Sequence, residues 1–235
     1  LGIKYKICDP ILEQDSSDSR TFFSLDEVLQ CDVISLHVPK VVDGQHPTYH
    51  LLSETRLNKL TAKQILISAC RGEVVDNHAL LKMKQRGHGL KIVLDVWEGE
   101  PEVLTALIEH TEIATAHIAG YSLEGKSRGT EMLYQALCRH CKIEPKFKLV
   151  DLLPVASISK LELKQEFNQI VLNQLVKLVY DVRRDDAIFR QQLTAQGFDN
   201  LRKNYPIRRE FSAVQVTLLS NDLSDVPHRL GFSKA

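Results

Sequence analysis

DVWEGEPEVLTALIEHTEIATAHIAGY, residues 95 to 121, reads as two strand ends joined by one helix. Lys91 to Val96 is a short apolar run of the kind that fits a buried parallel strand, and Glu112 to Ala116 is the next. Between them, Pro101 to His110 opens with proline and an acid, as helix starts do. A right-handed crossover of this kind makes the two strands parallel. Glu100 and His117 then leave the sheet at the same carboxyl edge, on strands about 5 Å or about 10 Å apart. Open α/β sheets bind their ligands along that edge.

The same alternation extends toward the N-terminus. Ser24 to Gln30 is a short helix capped by Ser24, and Asp32 to Val38 is a strand stopped by Pro39. Ser53 to Arg56 opens another helix by side-chain capping, and Gln64 to Ala69 is another apolar strand. Repetition of this unit predicts an α/β fold, a Rossmann-like doubly wound parallel sheet. Ile3, Tyr5 and Ile7 alternate with Lys4, Lys6 and Cys8 as in a strand, and Asp9 followed by Pro10 closes it. An acid there suits either a turn or the ribose hydroxyls of a dinucleotide. A G-x-G-x-x-G is expected about twenty residues before such an acid. It does not occur in the chain, so the expectation is a sheet lacking its first strand and glycine-rich loop.

Arg71 follows the strand at 64 to 69, beside Gly72, whose lack of a side chain lets the backbone pass close to a neighbour. Asp76 caps a helix over Asn77 to Arg86 that Gly87 and Gly89 end. On the other side of the opening stretch, Ser122 to Cys141 reads as a helix returning over the sheet, with Met132, Leu133, Ala136 and Leu137 on one face. The pattern breaks at Glu144 and Pro145. The predicted organisation is a dinucleotide-binding domain over 1–143, a linker over 144–154 and a small α+β domain over 155–235. In the last, a helix from Ile170 to Val182 ends in VRRDD, and a strand runs from Ser212 to Leu219. Eighty residues make a marginal core alone, which favours burial against a second copy.

The formal net charge is zero and the pI near 7.3, which supplies no field for nucleic acid or an anionic membrane. No apolar run reaches the roughly 18 residues of a membrane span. Five cysteines without a disulfide rhythm, and no signal-peptide pattern, fit the cytoplasm. Cys138 and Cys141 form a C-x-x-C without the second pair a zinc site needs, and the spacing of His37, Asp43, His46 and His50 matches no ligand set. No metal is expected. The basic set Arg183, Arg184, Arg202, Lys203, Arg208 and Arg209 reads as solvated or paired with Asp185, Asp186 and Glu210 in preference to a phosphate site.

Three strand ends thus present Arg71, Glu100 and His117 to one crevice. Histidine takes a proton from a hydroxyl at neutral pH, and a neighbouring carboxylate favours the imidazolium that results. An arginine grips a carboxylate with two parallel hydrogen bonds. Together they suit oxidation of a 2-hydroxy acid. Glu98 and Glu100 stand equally close in sequence to serve as the partner of the histidine.

The stretches ILISACRGEVVDNHALL (65–81), IVLDVWEGEPE (92–102) and TAHIAGYSLEGKSRGT (115–130), continued in LVYDVRRDDAIFR (178–190) and FDNLRKNYPIRREF (198–211), resemble the D-isomer specific 2-hydroxyacid dehydrogenases. That resemblance implies Arg71, Glu100 and His117 as catalytic residues, with Glu100, the acid before the proline, as the histidine's partner. It implies NAD as cofactor, lined by Asp9, Val38, Ala69, Cys70, Arg71, Asp95 and Gly120, with Tyr121 touching substrate. It further implies a small phosphorylated 2-hydroxy acid as substrate and a homodimer formed through the C-terminal domain. Position 38 is Val where the family often has Thr, and position 68 is Ser where Asn is common. Two alternatives stand beside this reading: a phosphoglycerate-type dehydrogenase, distinguished by substrate alone, and a non-catalytic NAD-sensing corepressor-like protein, against which Arg71, Glu100 and His117 argue because a sensor needs no proton shuttle.

Overall fold

The computed structural model describes residues 2–164, 167–218 and 225–234. It contains two compact units, one of residues 1–118 with 183–204 and the other of 119–182 with 205–235. In the first, β1 (Val33–Leu36), β2 (Ile65–Ser68), β3 (Lys91–Leu94) and β4 (Ile113–Ala114) form one parallel sheet in sequential order. Each strand end therefore faces the same edge. Alternate strand residues are fully buried (Ile34, Leu66, Ile92, Leu94), as strands with a covered face require.

The intervening helices are short: α1 (Leu25–Val28), α2 (Glu54–Leu57), α3 (Asn77–Gln85) and α4 (Thr105–Ile108). Ser24 and Glu27 make a complete capping box, and Asp76 accepts from the Ala79 amide as its sequence position predicts. Ser53 precedes α2 without a side-chain cap. The helix expected from Pro101 starts at Thr105 instead. The Glu100 carboxylate accepts from the Trp97 amide at 2.8 Å, which commits residues 97–100 to a turn. The strand expected over Ile3 to Cys8 is reduced to one bridge between Ile7 and Phe22, with Ile3 and Tyr5 exposed. An alternating sequence becomes a strand only where a neighbouring edge pairs its backbone, and here one residue is so paired.

The second unit begins with α5 (Leu123–Cys141), capped by Ser122, and a helical turn α6 (Leu149–Leu152). The face of α5 that reads as buried is exposed in the unit: Met132, Leu133 and Leu137 are 63%, 74% and 59% accessible. What α5 buries is Glu124, which accepts from Arg209 and from the amide of Glu210, and Cys138. Strand β5 (Lys160–Leu163) and helix α7 (Gln169–Val179) follow, and Asn168 caps α7 with two hydrogen bonds. Leu172 and Leu175 of α7 form a core with Phe167, Val214, Val216 and Phe232.

Next, α8 (Val182–Gln196) and α9 (Phe198–Lys203) return to the first unit. VRRDD, read as the end of α7, starts α8 instead, because the chain turns extended at Tyr180. Phe189 stacks tilted on Trp97 and edge-on to Phe198, all three buried. Asp186 accepts from the Ala114 amide at 2.7 Å, on the side of β4 that pairs with no further strand among the described residues. An unsatisfied amide buried there would cost about 1–3 kcal/mol.

The second unit is completed by β6 (Gln215–Leu218), α10 (Val226–Arg229) and β7 (Ser233–Lys234), giving a parallel sheet ordered β5-β6-β7. The strand expected from Ser212 begins only at Gln215, after a 3-10 turn over Phe211–Ala213, and its last expected residue, Leu219, lies outside the described residues. Of the basic set, Arg209 pairs with Glu124, and Arg208 is buried over Tyr180 and Tyr205 while donating to the Ala119 carbonyl.

Candidate active site

Four adjacent parallel strands deliver their following residues to one edge: Val38 after β1, Ala69 to Arg71 after β2, Asp95 to Glu100 after β3, and Thr115 to His117 after β4. Because β3 lies between β2 and β4, Glu100 arises between Arg71 and His117.

The central contact is a 2.8 Å hydrogen bond between His117 Nδ1 and Glu100 Oε2. A carboxylate accepts, so Nδ1 carries the proton and Nε2 is left to exchange one with a ligand. Glu100 Oε1 meanwhile holds the Trp97 amide, which fixes the carboxylate plane. His117 has φ of +53°, a conformation uncommon outside glycine. Its amide donates to the Asp95 carbonyl at 2.6 Å, and Asp95 Oδ1 accepts from Thr115 Oγ1 and from the Ile118 amide. The buried Asp95 thus wraps residues 115–118 around itself and holds the strained residue in place.

Glu98, the rival acid, belongs to a different histidine. Its Oε1 meets His50 Nε2 at 2.7 Å, and its Oε2 accepts from the Asn77 amide, while Asn77 Oδ1 accepts from the Glu98 amide. Asp76 faces the other ring nitrogen of His50 at 3.7 Å. The WEGE segment therefore serves two His–carboxylate couples, one per acid. Sequence spacing does not reveal the second, since His50 is 48 residues away in a loop.

Arg71 is exposed, and among the described residues its guanidinium donates one hydrogen bond, from Nη1 to the Cys70 carbonyl. The turn that follows is held by the loop before α2. The His50 amide donates to the Glu73 carbonyl, Leu52 pairs with Val74 and Asp76, and Lys40 Nζ meets Glu73 Oε1 at 2.6 Å. Burial pushes the Glu73 carboxyl up, but the Lys40 hydrogen bond and the positive charges of Lys40 and Arg71 outweigh it, so Glu73 titrates below its ordinary value. A lowered carboxyl stabilises the fold above the ordinary glutamate range, and this contribution is lost as pH falls through the depressed value.

Asp9 accepts from the amides of Ile11 and Leu12 through Oδ1, the turn role open to it from sequence. Gly120 and Tyr121 belong to the second unit, where Tyr121 packs edge-on to Tyr205 and under Lys126 Nζ. Among the described residues, one group of potential metal ligands, His50, Asp76 and Glu98, brings its ligand atoms within 4.8 Å of one another. The His50–Glu98 hydrogen bond, the Asn77 amide on Glu98 and the Ala79 amide on Asp76 account for the arrangement.

A model of the D-isomer specific 2-hydroxyacid dehydrogenase NAD binding domain matches residues 1–119, and a model described as a domain of unknown function matches 152–231. Erythronate-4-phosphate dehydrogenase of Colwellia psychrerythraea is 67% identical over 242 residues, covering 100% of this chain and 62% of that protein. The proteins of the same name from Tolumonas auensis and Shewanella oneidensis are 51% and 50% identical, each over 99% of this chain and 62% of their own length. The chain thus spans about three fifths of these curated relatives.

Proposed function

Because this chain belongs to the D-isomer specific 2-hydroxyacid dehydrogenase family, we propose that it serves the NAD-dependent oxidation of 4-phospho-D-erythronate to 3-hydroxy-2-oxo-4-phosphooxybutanoate, a step in pyridoxal 5′-phosphate synthesis. The supporting observation is the His117–Glu100 couple at the carboxyl edge of a parallel sheet, with Arg71 following the strand next to that of Glu100. High identity to erythronate-4-phosphate dehydrogenases favours the four-carbon phosphorylated acid over other 2-hydroxy acids.

The residues at the edge fit the nicotinamide end of a dinucleotide: Val38, Ala69, Cys70, Arg71 and Asp95 stand at the ends of three neighbouring strands. The sequence contains no G-x-G-x-x-G to cradle the pyrophosphate. Asp9 and Gly120 are assigned to the cofactor, and Tyr121 to the substrate, on the family resemblance. NAD, when bound, supplies the hydride acceptor. His117 Nε2 takes the hydroxyl proton, and the Glu100 carboxylate stabilises the imidazolium. Arg71 orients the substrate carboxylate, which places the reacting carbon.

Glu100→Gln is expected to lower kcat by about 10–100-fold with little change in KM, since an amide keeps the shape and loses the charge. Glu98→Gln is expected to act chiefly on stability, through His50. Steady-state kinetics beside thermal melts separates the two, and equal kinetic losses would contradict the assignment of Glu100.

We also propose a cytoplasmic homodimer. No helix among the described residues is long and apolar enough to cross a membrane. The second unit leaves Leu133, Val150, Leu152 and Val155 at 74%, 72%, 66% and 84% exposure, apolar side chains that burial against a second copy would cover. Leu133→Asp is expected to halve the mass measured by sedimentation, and a wild type that already sediments as a monomer would contradict the proposal.

A further inference from the structure

We propose that Asp186 and Arg190 are positioning residues for His117, so that the segment 183–204 sets the geometry of the proton-transferring couple. The inference rests on the reading of His117 as the proton acceptor and gives a role to the VRRDDAIFR stretch.

Every nitrogen of the Arg190 guanidinium is used. Nη1 donates to the Ile108 carbonyl at 2.6 Å, Nη2 to the carbonyl and Oγ1 of Thr111 at 2.9 Å each, and Nε to Asp186 Oδ1 at 2.9 Å. The same Asp186 oxygen accepts from the Ala114 amide. One planar fork therefore joins the end of α4, the approach to β4 and β4 itself. A strand of two residues has few ladder bonds of its own to hold its position, and His117 follows Ala114 by three residues.

The opposite side of the couple is reached as well. Phe189, between the two polar residues on α8, lies 5.5 Å from Trp97, ring centre to ring centre. The Trp97 indole donates to the Thr115 carbonyl at 2.8 Å, and the Trp97 amide holds Glu100. Thr115 leads to His117 and Trp97 to Glu100, so one face of α8 supports both partners of the 2.8 Å contact. The left-handed backbone of His117 makes this support matter, because a strained residue keeps its place only where its surroundings determine it.

The test compares Arg190→Met, Arg190→Lys and Asp186→Asn with the wild-type chain. In imidazole proton–nitrogen NMR spectra, the His117 Nδ1–H held by Glu100 is identified as the resonance lost in His117→Gln. It is expected to disappear in Arg190→Met and not to be restored in Arg190→Lys, since an ammonium has only three donors and cannot reproduce the planar fork that serves four acceptor atoms. Turnover of the 2-hydroxy acid is expected to fall about 10–100-fold in kcat, with KM for acid and NAD little changed. Emission from Trp97, the single tryptophan, reports whether each variant is folded. If Arg190→Met does not fold, Asp186→Asn carries the test, because it keeps an acceptor for Ala114 and loses the charge that holds Arg190. An unchanged His117 resonance in folded variants overturns the proposal. A wild type without turnover overturns the dehydrogenase reading instead, and the resonance still decides the positioning role.

Discussion

His117→Gln is expected to lower turnover by about 10²–10⁴-fold, the usual range for removing a positioned general base. Glutamine is polar and of similar reach but cannot accept a proton at neutral pH, so the loss should fall on kcat and leave KM for the hydroxy acid nearly unchanged. The contacts of the histidine suit the proposed task. Nδ1 is taken by Glu100, the amide by Asp95, and the ring is 27% exposed, so Nε2 is the atom with freedom to meet a ligand. NADH formation followed by absorbance gives both constants, and a variant within about twofold of wild type would remove His117 from the mechanism.

Gly72→Ala is expected to be the most damaging change of a single methyl group. A Cβ on Gly72 would sit 2.0 Å from the carbonyl carbon and oxygen of Trp97 and 2.5 Å from the Glu98 amide nitrogen. All three are backbone atoms, so no side chain can swing aside. Either the turn bearing Arg71 or the turn bearing Glu100 must move. The stability loss should reach or exceed the roughly 1–3 kcal/mol typical of overpacking, and activity should fall with it. Gly129→Ala offers the contrast. Its Cβ would meet nothing within 4 Å inside helix α5, so a gain of up to about 1 kcal/mol is expected from helix propensity. Denaturant melts of the two variants measure the difference, and equal stabilities would contradict the close packing of the two turns.

The parallel sheet is readable because its strands are short apolar runs punctuated by caps and glycines, and Ser24 and Asp76 do cap the helices they precede, whereas Ser53 does not. The order of strand ends then placed Arg71, Glu100 and His117 along one edge without any knowledge of side-chain contacts. What stayed hidden depends on partners distant in sequence. The choice between Glu98 and Glu100 is made by His50, and the edge of β4 is closed by residues more than seventy positions later. Such contacts leave no period in the chain. The strand expected at Ile3 shows the converse, a good local pattern with one bridging partner. The apolar face of α5 misled for a related reason, since periodicity reports that a face will be covered and says nothing of what covers it.

NADH formation by the purified protein, with 4-phosphoerythronate and 3-phosphoglycerate offered separately under identical conditions, tests the proposed activity most directly. The expected result is higher kcat/KM for the four-carbon acid, with activity abolished in His117→Gln. Preference for 3-phosphoglycerate would keep the proton-transfer chemistry and contradict the substrate, while turnover of neither would contradict the dehydrogenase reading itself.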